Sequence, residues 1–75
     1  MEPLSTEQVI EAFLDLAPEE WRAFRKRLVA TLATGENDWR ISIDGRIVGW
    51  VERVGKMMYV SHQFLPGEMG LQPPR

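Results

Sequence analysis

The hairpin that decides the fold lies in residues 39–50, which read WRISIDGRIVGW. Before the Asp44-Gly45 dipeptide, the apolar residues Trp39, Ile41 and Ile43 alternate with Arg40 and Ser42. This dipeptide is a strong signal for a two-residue type I′ turn, because both turn positions need a positive φ. Alternation with a period of two is typical of a strand that buries one face. We therefore predict two antiparallel strands, the second of which runs from Arg46 to about Val54.

The two-residue turn also predicts the register of this hairpin. It places three cross-strand pairs on one face of the sheet: Ile43 with Arg46, Ile41 with Val48, and Trp39 with Trp50. A tryptophan pair beside an aliphatic pair is favourable, by up to about 1 kcal/mol per pair. We therefore expect this face to be the one that helices cover.

A third strand follows a second turn at Gly55-Lys56 and runs from Met57 to about Leu65. Beyond it, residues 66–75 are rich in proline and glycine, which do not continue a strand. We predict a single domain over residues 1–65, with residues 66–75 as a flexible C-terminal tail.

Two helices are predicted before the sheet. Ser5 and Gln8 have the spacing of a capping box, in which each side chain binds the backbone amide of the other. Pro18 suits the first position of a second helix, and Gly35 suits the position just after its end. The second helix has an apolar stripe made of Trp21, Phe24, Leu28 and Leu32. We predict helices over about 5–16 and 18–33.

These elements predict an α+β fold in the order ααβββ, with two N-terminal helices packed on one face of a three-stranded antiparallel β-meander. The chain has 75 residues, which is enough for one small domain. Its 44 % hydrophobic content is too high for a disordered chain. A domain of this size buries little surface, so a partner subunit or good packing has to stabilise it.

The composition argues against several classes of function. The absence of cysteine removes disulfides and thiolate catalysis, and His62 is the only histidine. We therefore predict a protein that is not an enzyme and has no metal site or cofactor. The N-terminus has no basic segment followed by an apolar one, and no apolar run approaches the ~20 residues of a membrane span. These features predict a cytoplasmic protein that does not enter a membrane.

The second face of the meander is predicted to be apolar as well, which is unusual for a sheet face in water. Its candidate partner-binding residues are Ile47, Val51, Met58, Val60 and Phe64. A one-residue shift of the second hairpin would send Met58 and Val60 to the helix side and leave Tyr59 outside. In either register Ile47 and Val51 stay outside. Two competing explanations are a protein interface and a C-terminal tail that folds back over this face.

A basic cluster on the second helix supports an alternative function. It consists of Arg22, Arg25, Lys26 and Arg27. These side chains are candidates to contact nucleic acid or an acidic partner. One such partner is the acidic row of the first helix in another copy, made of Glu7, Glu11 and Asp15. The net charge of −2 argues against nucleic acid, and an ordinary solvated helix face is the better explanation of the cluster.

The aromatic residues raise a further alternative, since bases of single-stranded RNA stack on aromatic side chains of a sheet. For Trp39 and Trp50 a place in the core is the better explanation, because the helices need an apolar surface to pack on. Tyr59 stays open. The sequence therefore predicts a small, non-enzymatic protein-binding regulator, inhibitor or assembly subunit. It is expected to bind a protein or to form a homodimer, and nucleic-acid binding is the second choice.

Overall fold

A computed structural model describes residues 4–35, 37–61 and 64–72. The helix α1 spans Thr6–Leu16, and a 3₁₀ helix spans Glu19–Arg27. Four strands follow: β1 (Leu28–Thr34), β2 (Asp38–Ile43), β3 (Arg46–Val54) and β4 (Met57–Ser61). They form one antiparallel sheet in the order β1-β2-β3-β4, and a short 3₁₀ turn at Gly67–Met69 follows.

The predicted α+β class is confirmed, but the predicted three-stranded meander is wrong. The second helix ends at Arg27, and the segment from Leu28 to Thr34 is a fourth strand at the edge of the sheet. Three of its seven residues, one valine and two threonines, are β-branched and favour strands, and alternate residues Leu28 and Ala30 are buried. Its apolar positions fit a helix and a strand equally well. Pairing with β2 decides in favour of the strand, because that pairing satisfies its backbone and buries its inner side chains.

The start of α1 follows the prediction. The backbone N–H of Gln8 donates to Oγ of Ser5 at 3.2 Å, and the backbone N–H of Ser5 donates to Oε1 of Gln8 at 2.8 Å. The helix ends at Leu16 because Ala17, which precedes a proline, has an extended backbone with ψ 169°. The side of α1 that faces the sheet carries the buried residues Val9, Phe13 and Leu14.

The central hairpin keeps the predicted register for two residue pairs, Ile43–Arg46 and Ser42–Ile47, and then departs from it. Its turn is as predicted, with φ of 51° at Asp44 and 82° at Gly45, and Ile43 pairs with Arg46. A β-bulge at Val48 then sets two residues of β3 against one residue of β2, so that Ile41 pairs with Gly49. Because side chains alternate between faces, this one extra residue moves every later residue of β3 to the other face.

The bulge makes the predicted Trp39–Trp50 pair wrong. Trp39 pairs with Val51, and Trp50 pairs with Arg40 on the opposite face of the sheet. Trp39 and Val51 are buried, whereas Trp50 is half-buried. The face that α1 covers is called the inner face below, and the opposite one the outer face.

The core lies between α1, the 3₁₀ helix and the inner face. An aromatic group joins the two helices: the rings of Phe13 and Trp21 are 6.0 Å apart, and those of Trp21 and Phe24 are 5.8 Å apart. The buried apolar residues are Val9, Phe13, Leu14, Trp21, Phe24, Leu28, Ala30, Trp39, Ile41, Ile43, Val48 and Val51. This core draws on α1, on the 3₁₀ helix Glu19–Arg27 and on three of the four strands.

The C-terminal segment from Phe64 to Gln72 returns to the core. The backbone N–H of Phe64 donates to the carbonyl of Val48 at 3.0 Å, and the indole N–H of Trp21 donates to the carbonyl of Phe64 at 2.8 Å. Further along, Met69 and Leu71 pack against the buried cluster. The alternative in which this segment covers the outer face is therefore wrong for Met69 and Leu71. The predicted flexibility of residues 66–75 stays a prediction.

The bond between Trp21 and Phe64 yields a stability prediction. Trp21→Phe removes the indole donor and leaves the carbonyl of Phe64 without it, at a cost of about 1–3 kcal/mol in addition to the loss of packing. Trp39→Phe is the matched control, since it removes the same indole volume from the same core without touching Phe64. We expect urea unfolding to show a larger loss of stability for Trp21→Phe. Equal losses would contradict a role for this bond.

Candidate protein-interaction surface

The register of the four strands orders the outer face into four rows that run across the sheet. Row one holds Val29, Ser42 and Ile47; row two holds Thr31, Arg40, Trp50 and Ser61; row three holds Asp38, Glu52 and Tyr59; row four holds Val54 and Met57. Neighbouring rows are about 7 Å apart, because they are two residues apart along each strand.

The two outermost rows of this face are mainly apolar and in contact with solvent. Ile47 in row one is 38 % exposed and Met57 in row four is 59 % exposed, and Val29 and Val54 are exposed to a similar degree. Tyr59 in row three is also exposed. A sheet face that meets only water normally carries polar side chains at such positions. These apolar side chains are therefore the part of the surface that needs an explanation.

The two central rows carry charges. Arg40 lies in row two, and Asp38 and Glu52 lie opposite each other on neighbouring strands in row three. Like charges placed directly opposite each other in a sheet are destabilising. Within the described residues, none of these three side chains forms an ion pair. The outer face thus presents a positive row next to a negative row, and apolar rows lie outside them.

The structure distributes the five predicted partner-binding residues over three places. Ile47 is on the outer face. Val51 is 0 % exposed, so the prediction that it lies outside in either register is wrong, and the bulge is the reason. Met58 and Val60 are half-buried on the inner face. The second hairpin has the predicted two-residue turn, with Val54 opposite Met57 and Val51 opposite Val60, so the bulge in β3 and not a shift of this hairpin turns them inward. Phe64 lies in the C-terminal segment, where its side chain is exposed.

Sequence reasoning missed four outer-face residues, namely Val29, Trp50, Val54 and Met57. Val29 was assigned to a helix, and the other three were assigned to the wrong side or left unassigned because the bulge was not foreseen. One signal for the bulge was present. An isolated glycine inside a strand pattern, here Gly49, indicates a bulge or a close approach of backbones.

The predicted basic cluster lies on the 3₁₀ helix, and most of it is paired within the chain. Arg22 binds Asp15 at 3.1 Å, Arg25 binds Glu11, and Arg27 binds Asp44. Lys26 makes no ion pair with any of the residues that the structure describes. The predicted docking of this cluster on the acidic row of another copy is therefore wrong for Glu11 and Asp15, since both are engaged in the same chain.

The geometry of the two helices explains why the basic cluster pairs with the acidic residues of α1. Residues three apart share one side of a 3₁₀ helix and are separated by about 6 Å along its axis. Residues four apart on an α-helix are separated by the same distance of about 6 Å. Arg22 and Arg25 therefore match Asp15 and Glu11 in spacing. An α-helical second segment would place its basic residues differently on its surface.

The nucleic-acid alternative assigned these basic side chains to phosphates or base edges, and it stays a prediction. Three of its four residues already have carboxylate partners, and the segment is a 3₁₀ helix that packs on the core through Trp21 and Phe24. The guanidinium of Arg27 also lies over the ring of Phe24, at 5.7 Å. To bind nucleic acid, these side chains would have to exchange their carboxylate partners for phosphates or base edges.

Among residues 4–35, 37–61 and 64–72, no group of three or more histidine, cysteine or carboxylate side chains could hold a metal ion. His62, the only histidine of the sequence, lies outside the described residues. None of the helices in the described part of the chain is long and apolar enough to cross a membrane.

The described part of the chain forms a small α+β domain with a four-stranded meander, and one face of this sheet carries exposed apolar side chains. Comparison with models of protein families, with curated proteins and with solved structures finds no match to this chain.

The ion pairs between the basic cluster and α1 give a testable coupling. In a double-mutant cycle of Glu11→Ala and Arg25→Ala, we expect a coupling energy of about 0.2–1 kcal/mol, because both side chains are partly exposed. The coupling falls as salt is raised, since ions screen the pair. Urea unfolding at low and high salt measures it.

A second cycle with Glu7→Ala in place of Glu11→Ala is the control, because Glu7 forms no ion pair with the described residues. Equal coupling of Arg25 to both glutamates would show a diffuse charge effect. It would contradict a specific ion pair between Arg25 and Glu11.

Proposed function

We propose that this protein is a non-enzymatic protein-interaction module that self-associates through the outer face of its sheet. The observation that carries the proposal is the uncovered apolar surface of rows one and four, on the side of the sheet opposite α1. A small regulator or assembly subunit of this kind acts by binding rather than by chemistry.

Several properties of the outer face support this proposal. Exposed apolar side chains grouped on one sheet face, here at its two ends, are typical of a protein interface. Methionine and aromatic residues are enriched in interfaces, and Met57, Tyr59 and Trp50 are all on this face. Met69 and Leu71 of the C-terminal segment pack against the buried core, while Val29, Ile47, Val54 and Met57 of the outer face stay exposed in the part of the chain that the structure describes.

The small size of the chain supports self-association in particular. A domain of about 60–75 residues buries only about 60 % of its unfolded surface and gains stability from a partner subunit. The chain has no cysteine with which to form disulfides. Burial of the outer apolar rows against a second copy would add stability at about 25 cal/mol per Å² of apolar surface.

Strand addition at an edge of the sheet is the competing mode of association. The edge strands β1 and β4 read LVATLAT and MMYVS, and neither contains a charged residue or a proline. Charges and prolines are the usual protection of an edge against pairing with another chain. The test of the proposal therefore has to distinguish the outer face from the edges.

The test is the oligomeric state of the wild type and of two matched variants. At about 1–100 µM we expect light scattering to give twice the chain mass of 8.7 kDa for the wild type. Ile47→Glu places a charge in row one and should weaken the dimer at least about 100-fold, because an unpaired charge is costly to bury. Leu16→Glu places the same charge on an exposed apolar residue at the end of α1, and this variant should remain dimeric.

A wild type that stays monomeric at every concentration would contradict the proposal. A dimer that survives Ile47→Glu would move the association to an edge of the sheet. Circular dichroism on each variant shows whether the substitution has unfolded the domain.

A further inference from the structure

We propose that the occupant of the outer face is a second copy of this chain, related to the first by a two-fold axis that runs across the strands between row two and row three. This inference rests on the proposed function and adds the arrangement of the two copies. Its basis is the order of the four rows, which is self-complementary in both charge and apolar character.

A two-fold axis in this position turns one outer face onto the other and reverses the order of the rows. Row one then lies over row four, row two lies over row three, and each strand lies over the same strand of the second copy. Two stacked sheets are about 10 Å apart, and aligned packing keeps their strands within about 30° of each other. An arginine side chain that extends from one sheet can reach a carboxylate of the other across this distance.

The charges are matched by this arrangement. Arg40 is in row two of β2, and Asp38 is in row three of the same strand. The axis therefore places Arg40 against Asp38 of the second copy, and it generates the reciprocal pair by symmetry. The repulsion between Asp38 and Glu52 within one chain is then offset by the incoming guanidinium. Electrostatic complementarity of this kind fixes the register of an interface.

The apolar rows are matched as well. Ile47 is in row one of β3 and Val54 is in row four of β3, so the axis places each against the other in the second copy. Both side chains are exposed in the single chain. Two apolar contacts thus lie on either side of two central ion pairs. On β3 the same axis places Glu52 against Trp50 of the second copy.

The other simple two-fold arrangement fails on charge. An axis parallel to the strands would keep each row over itself and would exchange β2 with β3. Asp38 would then face Glu52 of the second copy, and the two acidic rows would repel each other. Like charges brought together in an interface cost several kcal/mol, so the charge pattern selects the axis that runs across the strands.

The test uses charge reversal and mixing. Arg40→Asp alone and Asp38→Arg alone make the two central rows alike in charge, so each variant should dimerise at least about 10-fold more weakly than the wild type. A 1:1 mixture of the two variants should form a heterodimer, because each position 40 then meets a position 38 of opposite charge. The double variant Arg40→Asp, Asp38→Arg should recover the wild-type homodimer. Sedimentation equilibrium measures all four affinities.

A matched pair of variants off the outer face controls for simple charge attraction. Lys26→Asp and Glu20→Arg make the same changes of charge at exposed positions of the 3₁₀ helix. Each should dimerise as the wild type does, and a mixture should show no preference for the heterodimer. If a charge-reversal variant loses its circular dichroism signal, the cycle is repeated with Arg40→Ala and Asp38→Ala, and a coupling between them in the dimer affinity is expected.

The outcomes separate this inference from the proposed function. A wild-type dimer that Ile47→Glu dissociates, but that shows no recovery in the mixture or the double variant, would overturn the arrangement and leave outer-face association standing. A monomeric wild type would overturn both. Heterodimer formation together with recovery by the double variant would support the two-fold axis between row two and row three.

Discussion

The bulge at Val48 in β3 is the constraint on which the rest of the structure depends. It moves Val51 into the core and Trp50 to the outer face, and so it decides which side chains the sheet offers to α1 and which to the solvent. The carbonyl of Val48 also accepts the backbone N–H of Phe64, whose own carbonyl accepts the indole N–H of Trp21. One irregular residue thus links the sheet, the 3₁₀ helix and the C-terminal segment.

The N-terminal half of the chain is organised around a second constraint, which is the change from helix to strand at Leu28. The 3₁₀ helix has a rise that matches its basic residues to the acidic residues of α1, while Trp21 and Phe24 on another side fill the core. Ending this helix at Arg27 leaves residues 28–34 free to pair with β2. Because the second helix ends there, it does not extend along the sheet, and α1 is the main element that covers the inner face.

These two constraints together produce the surface to which a function is assigned. Because the bulge turns Trp50 outward and β1 extends the sheet, the outer face is four strands wide and has an ordered pattern of apolar, positive, negative and apolar rows. In the basic cluster, by contrast, most side chains form ion pairs within the same chain. The comparison of the outer face with the basic cluster therefore favours association through the sheet over contact through the 3₁₀ helix.

The sequence by itself determined the start and end of α1, the type I′ turn at Asp44-Gly45 and the α+β class, because each depends on residues within a few positions of one another. Tertiary structure decided the bulge at Val48, the strand at residues 28–34 and hence the outer face. Gly49 indicated a bulge but not its consequence, since the hydrogen bond that anchors Val48 comes from Phe64, sixteen residues away. Residues 28–34 fit a helix or a strand by their pattern, and only the free edge of β2 made the strand the lower-energy choice.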